Sequence, residues 1–129
     1  MNAEAPRRAT PRPAGEAAVV TKGVLRAAER LGLSNRVIAA VLGVSEATVS
    51  RMSTGVYQLE PGNKPFELAV LFLRLFRSLD AIVGGDAAVA RAWLQNENTA
   101  LRAAPVALIE TVAGLVNVVA YLDDRRARA

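Results

Sequence analysis

The chain has 129 residues, room for one compact domain or two small ones, and its 52% hydrophobic and 22% charged residues exclude the disordered class. Net charge is +4 and the pI about 10.3, which suits a polyanionic partner without demanding one. Cys and His are both absent, which excludes disulfides, the usual zinc ligand sets, a thiolate nucleophile and an imidazole base. No metal, cofactor, small-molecule substrate or enzymatic activity is expected.

Residues 1–18 read as a disordered basic arm. Pro6, Pro11, Pro13 and Gly15 break any periodicity, and Arg7, Arg8 and Arg12 supply the charge. Such an arm either has no role or touches DNA phosphates and the minor groove. Pro and Ala follow these arginines where a signal sequence would have an apolar core, and no 18-residue apolar run avoids charge. The expected location is the cytoplasm, with no membrane partner.

Residues 19–62 read as three short helices. Thr21 is the expected first cap, and Val24, Leu25, Ala28 and Leu31 follow at helical spacing until Gly32. Ser34 caps a second helix with Val37, Ile38, Val41 and Leu42 on one face, ended by Gly43. Ser45 caps a third, with Glu46 in the first turn where a carboxylate suits the helix dipole, and Gly55 closes it. Two short helices joined by a glycine turn make a helix-turn-helix. Ala39 is small where the helices cross, and Val44 and Val49 join Ile38 and Leu42 in a core that turns the third helix outward. Its expected DNA-reading face is Glu46, Ala47, Thr48, Ser50 and Arg51. Arg51 suits guanine or phosphate, Thr48 and Ser50 donate to phosphate or bases, and Ala47 lies against a thymine methyl. Glu46 either accepts from a cytosine amine or serves the dipole alone.

Residues 63–129 read as a second helical unit, so the expected class is all-α. After a loop over Val56–Gly62, Pro65 opens a helix from about Phe66 to Val83 that is apolar on nearly every side. A helix apolar all round is buried all round. A chain this small has trouble covering it alone, so a homodimer is expected, with Phe66, Val70, Leu73, Phe76 and Leu79 at its interface. Gly84 and Gly85 make a turn, Asp86 a cap, and Ala87–Gln95 a short helix ending in Trp93-Leu94. A polar connection follows over Asn96–Ala104. Pro105 then starts a last helix to about Leu122, with the stripe Leu108, Val112, Leu115, Val119 and Leu122 at 4-3-4-3 spacing. Gly114 inside it costs about 1 kcal/mol against Ala and often marks the close approach of another backbone.

These residues carry a resemblance. Residues 21–55 resemble the Xre-like helix-turn-helix of bacterial regulators. Trp93-Leu94, Asn98, Leu101, Pro105 and the run LIETVAGLVNVVAYL, with Gly114 and Tyr121-Leu122, resemble the toxin-binding domain of Xre/MbcA/ParS-type antitoxins. The resemblance covers roughly residues 20–125. One departure is Arg102-Ala103-Ala104 before Pro105, where the family pattern has a Gly-rich turn and often a Thr. The resemblance implies the antidote half of a type II toxin–antitoxin operon. Its partner would be a RES-domain toxin that consumes NAD or transfers from it, blocked at its NAD pocket by the C-terminal region. The pair would repress its own promoter.

The implied toxin-binding residues are Trp93, Asn98, Leu101, Gly114, Tyr121, Asp123, Asp124, Arg125, Arg126 and Arg128. Asp123 or Asp124 would mimic phosphate, and Arg125, Arg126 or Arg128 would pair with a catalytic acid. The charge run is otherwise a solvated helix end, and Trp93 otherwise an anchor for its short helix. The alternative function is a stand-alone dimeric transcription regulator without a toxin. An enzyme would depend on bare carboxylates that no spacing brings together.

Overall fold

The structure, a computed structural model, describes the backbone of residues 11–128, and every regular element in that span is a helix. The first, α1, is Pro11–Arg30. This corrects the expectation of an arm up to residue 18 and of a cap at Thr21; residues 1–10 of that arm lie outside the described residues. Proline in the first helical turn removes only an N–H that would have no intrahelical partner, so Pro11 and Pro13 open this helix instead of breaking it. The buried face begins at Ala17 and continues through Thr21, Val24, Ala27, Ala28 and Leu31. Thr21 is a mid-helix residue whose hydroxyl accepts from the Leu59 N–H at 2.9 Å. That bond, with Leu59 fully buried, pins the loop that sequence left unstructured.

The next two helices, α2 (Asn35–Leu42) and α3 (Glu46–Ser53), follow the sequence closely. Ser34 Oγ accepts from the Val37 N–H, and Ser45 Oγ from the Thr48 N–H. Gly43 takes the left-handed conformation (φ 72°), which suits a residue without Cβ, and the Val44 N–H closes the turn on the Ala39 carbonyl. Val37, Ile38, Ala39, Val41, Leu42, Val49 and Met52 are buried.

Helix α4, Lys64–Ile82, is the axis of the molecule. It packs on α2 near its N-terminal end, on α1 from Gly23 beside Leu73 to Arg30 beside Asp80, and on α7 (Val112–Arg128) and α5 (Ala87–Gln95) towards its C-terminal end. Leu71 lies with Val119 and Ala120, and Ile82 with Arg125, so α4 and α7 run side by side in the same direction. The chain itself covers Phe66, Leu68, Ala69, Phe72, Leu75, Ser78 and Leu79. Glu67, Val70, Arg74, Arg77 and Ala81, spaced three and four apart, form an exposed stripe. The helix is therefore not buried all round, and Phe66 and Leu79 are already spent in the chain's own core. Of the expected interface residues, Val70 is exposed at 47%, and Leu73 and Phe76 are half-buried.

The single expected helix from Pro105 to Leu122 is two. A short turn, α6 (Pro105–Leu108), is followed by a break and then α7. Thr111 makes the break: its hydroxyl accepts from the Gly114 N–H at 3.0 Å and so caps α7. The 4-3-4-3 stripe does not run through. Leu115, Val119 and Leu122 are buried, whereas Val112 is 57% exposed. The helix then continues past Leu122 to Arg128, so the charge run belongs to its last turns.

Candidate functional site

Two surfaces are candidates for function. The first is α3. Glu46, Ala47, Ser50 and Arg51 fall at i, i+1, i+4 and i+5 and are all exposed, while Val49 and Met52 point into the core. The helix thus shows one continuous face to solvent, held by the buried α2–α3 contact. Thr48 stands at the edge of that face, half-buried, with its hydroxyl 3.0 Å from Ser45 Oγ. Arg51 supplies its positive charge; Glu46 lies in the first turn, beside the positive end of the helix dipole. Arg36, near the N-terminus of α2, is held by Glu110, to whose two carboxylate oxygens its Nη1 and Nη2 donate at 3.4 and 3.2 Å.

The second surface is where α4, α5 and α7 meet. The Trp93 and Tyr121 rings stack with centroids 6.2 Å apart and planes 20° apart. The Arg125 guanidinium lies over Tyr121, 5.5 Å from its centroid. Around them opens a hollow of about 300 Å³ walled by Leu79, Ile82, Val83, Val89, Trp93, Tyr121, Leu122 and Arg125. Ile82 is 39% exposed and Val89 49%, so the hollow has a wet apolar rim with one cation.

The remaining expected residues divide by what they already hold. Asp123 pairs with Arg74 at 2.6 Å and accepts from the Ser78 hydroxyl at 2.8 Å; it ties α7 to α4. Arg126 approaches the same Ser78 hydroxyl at 3.5 Å. Asp124 and Arg128 pair with each other at 3.0 Å along the exposed helix end. Asn98 shapes its loop: its side chain accepts from the Leu101 N–H, its own N–H donates to the Ala103 carbonyl, and its carbonyl accepts from Arg102. Leu101 packs half-buried on the core. Arg102 stands at φ 68°, left-handed, in the segment where the family pattern would have a Gly-rich turn. Gly114 is buried against the chain's own Leu108 carbonyl, so the close approach it permits is internal. It lies eleven residues before Arg125, roughly 16 Å along the helix. The structure therefore gathers Trp93, Tyr121 and Arg125 and sets Gly114 apart from them. Ile82, Val83 and Val89 were not read from the sequence. A signal existed, since Val89 precedes Trp93 by four residues, as Tyr121 precedes Arg125.

Among the described residues no helix is long and apolar enough to cross a membrane, and no three acidic side chains cluster as a metal site would require. Residues 12–74 match the family model for the antitoxin Xre-like helix-turn-helix domain. Residues 78–128 match that for the antitoxin Xre/MbcA/ParS C-terminal toxin-binding domain. The two matches together span nearly all of the described chain and meet inside α4. No curated protein matches the sequence.

Proposed function

This chain belongs to the Xre/MbcA/ParS-type antitoxins, and we propose that it neutralises a RES-domain toxin that consumes NAD or ADP-ribosylates a target. The C-terminal region lies over the toxin's active site, and α3 binds the operator of the chain's own operon from the cytoplasm. The observation that carries this reading is a coincidence of place. The apolar hollow at Trp93 and Tyr121 and the charged last turn with Asp124, Arg125, Arg126 and Arg128 adjoin at one end of the span matched to a toxin-binding domain. An apolar seat gives affinity, and the adjoining carboxylate and guanidinium groups stand in for the charges of a bound dinucleotide or pair with a catalytic acid. The protein acts as a dimer. Apart from Ile82 at the hollow, Val70, Val112 and Val116 are the exposed large apolar side chains that α4 and α7 offer a second copy.

The test is NAD consumption by the purified RES-domain protein of the same operon, titrated with the full chain and with a chain ending at Asp124. That end keeps Asp123 on Arg74 and Ser78, so the shortened chain holds its fold. The full chain should inhibit stoichiometrically, and the shortened one should leave part of the NAD consumption standing. Equal inhibition would make the last turn inert. No inhibition by the full chain would remove the toxin and leave a stand-alone regulator.

A further inference from the structure

We infer that the hollow between α4, α5 and α7 is a socket for one segment of the toxin, which inserts a large aliphatic or aromatic side chain and sets a neighbouring carboxylate on Arg125. The inference rests on the antitoxin reading and adds to it the chemistry of the contact. Seven of the eight wall residues are Leu, Ile, Val, Trp or Tyr, and the eighth is Arg125. The walls thus ask for an apolar body with one anionic neighbour. A small molecule is a poorer fit, because ligand sites enclose most of their ligand, and here two of the walls, Ile82 and Val89, themselves stand exposed.

The composition also has the character of an interface centre. Trp, Tyr and Arg are the residues that most often dominate binding energy, and here Tyr121 stands against both Trp93 and Arg125. Trp93 is fixed by its stack on Tyr121, and Arg125 lies over the same ring, so little side-chain freedom remains to be lost on docking. Arg125 is exposed, and a guanidinium can bind a carboxylate through two parallel hydrogen bonds. The source of the partner follows from position. All eight wall residues lie within 78–128, the span matched to a toxin-binding domain. Arg126 and Arg128, one and three residues beyond Arg125, extend the same helix end beside the seated segment.

The experiment uses full-length protein and the RES-domain protein encoded beside it, with binding measured by calorimetry. Val89→Arg puts a long charged side chain into the mouth of the hollow from an exposed helix position. It should weaken binding roughly 10- to 100-fold while melting temperature and promoter binding stay at wild-type values. Arg125→Gln should weaken binding less and flatten its dependence on salt. Wild-type affinity in both variants would overturn the socket and leave the antitoxin reading intact. A shift of the Val89→Arg protein from dimer to monomer would also overturn it, assigning the hollow to a second copy of this chain. Failure of the wild-type protein to bind its neighbour at all would bring down the antitoxin reading and the socket together.

Discussion

Replacing Gly114 with Ala tests whether the break before α7 is a built feature. Ala is the best helix former, and at an exposed helical glycine the change should stabilise by about 0.5–1 kcal/mol. Here the added methyl would overlap the Leu108 carbonyl oxygen, lie 2.7 Å from that carbonyl's carbon, and lie 2.9 Å from Thr111 Oγ1. Backbone cannot swing aside as a flexible side chain would. Relief requires moving the α6–α7 turn or losing the Thr111 hydroxyl cap on the Gly114 N–H. Loss of a cap costs about 1 kcal/mol and overpacking about 1–3 kcal/mol. Against the helix-propensity gain, the net is destabilisation by ~1–3 kcal/mol. For a chain of this size that lowers the melting temperature by roughly 5–15 °C. Gly15→Ala is the control: it lies in α1 with nothing within 4 Å of the added methyl, and should raise stability. Thermal and urea unfolding of both variants decide the matter. A Gly114→Ala protein as stable as wild type would mean that the turn is soft and that the glycine answers to something else.

Thr21→Val leaves the buried Leu59 N–H without an acceptor and should cost about 1–3 kcal/mol in urea unfolding, whereas Thr21→Ser, which keeps the hydroxyl, should cost less. Arg102→Gly removes a side chain from a left-handed position and should stabilise by about 0.5–1 kcal/mol, read as a rise in melting temperature; a fall would mean that the arginine side chain holds the loop. Arg51→Ala should weaken promoter binding by ~1–3 kcal/mol and reduce its salt dependence, with unfolding unchanged; undiminished binding in fluorescence anisotropy would take Arg51 off the reading face.

What could be read in the sequence was the chemistry of short range. Ser34, Ser45 and Asp86 cap their helices through bonds to N–H groups three residues on, and Gly43 ends α2 in the left-handed form. These bonds lie within one turn, so a few letters specify them. The outward face of α3 was legible for the same reason, because Val49 and Met52 fix which side points in. Other features needed the third dimension. Pro11 and Pro13 look like breakers until Ala17 and Thr21 are known to lie on a buried face. The apolar length of α4 suggested a missing chain, since nothing local says that α7 would cover one side and leave Arg77 exposed on another. Asp123 read as free charge because its partners, Arg74 and Ser78, lie more than forty residues upstream. The hollow escaped because three helices build it and no one of them holds more than three of its walls.

The two matched domains meet at residues 75–77, and those residues lie in the middle of α4, with the buried Leu75 among them. A module border is ordinarily a joint; here it is a continuous rod. Helix α3 is joined to this shaft through α1 and α2, and the hollow is built on it directly; Arg30 and Arg91 clamp the assembly further, Arg30 on the Gly85 carbonyl and Arg91 on the Arg30 carbonyl. There is no tether whose slack could absorb a change of spacing. In the proposed dimer the distance between the two α3 helices would be a fixed length, and an operator would have to present its half-sites at that pitch. Lengthening α4 by a single residue would turn one end against the other by about 100° and would mis-set both tools at once.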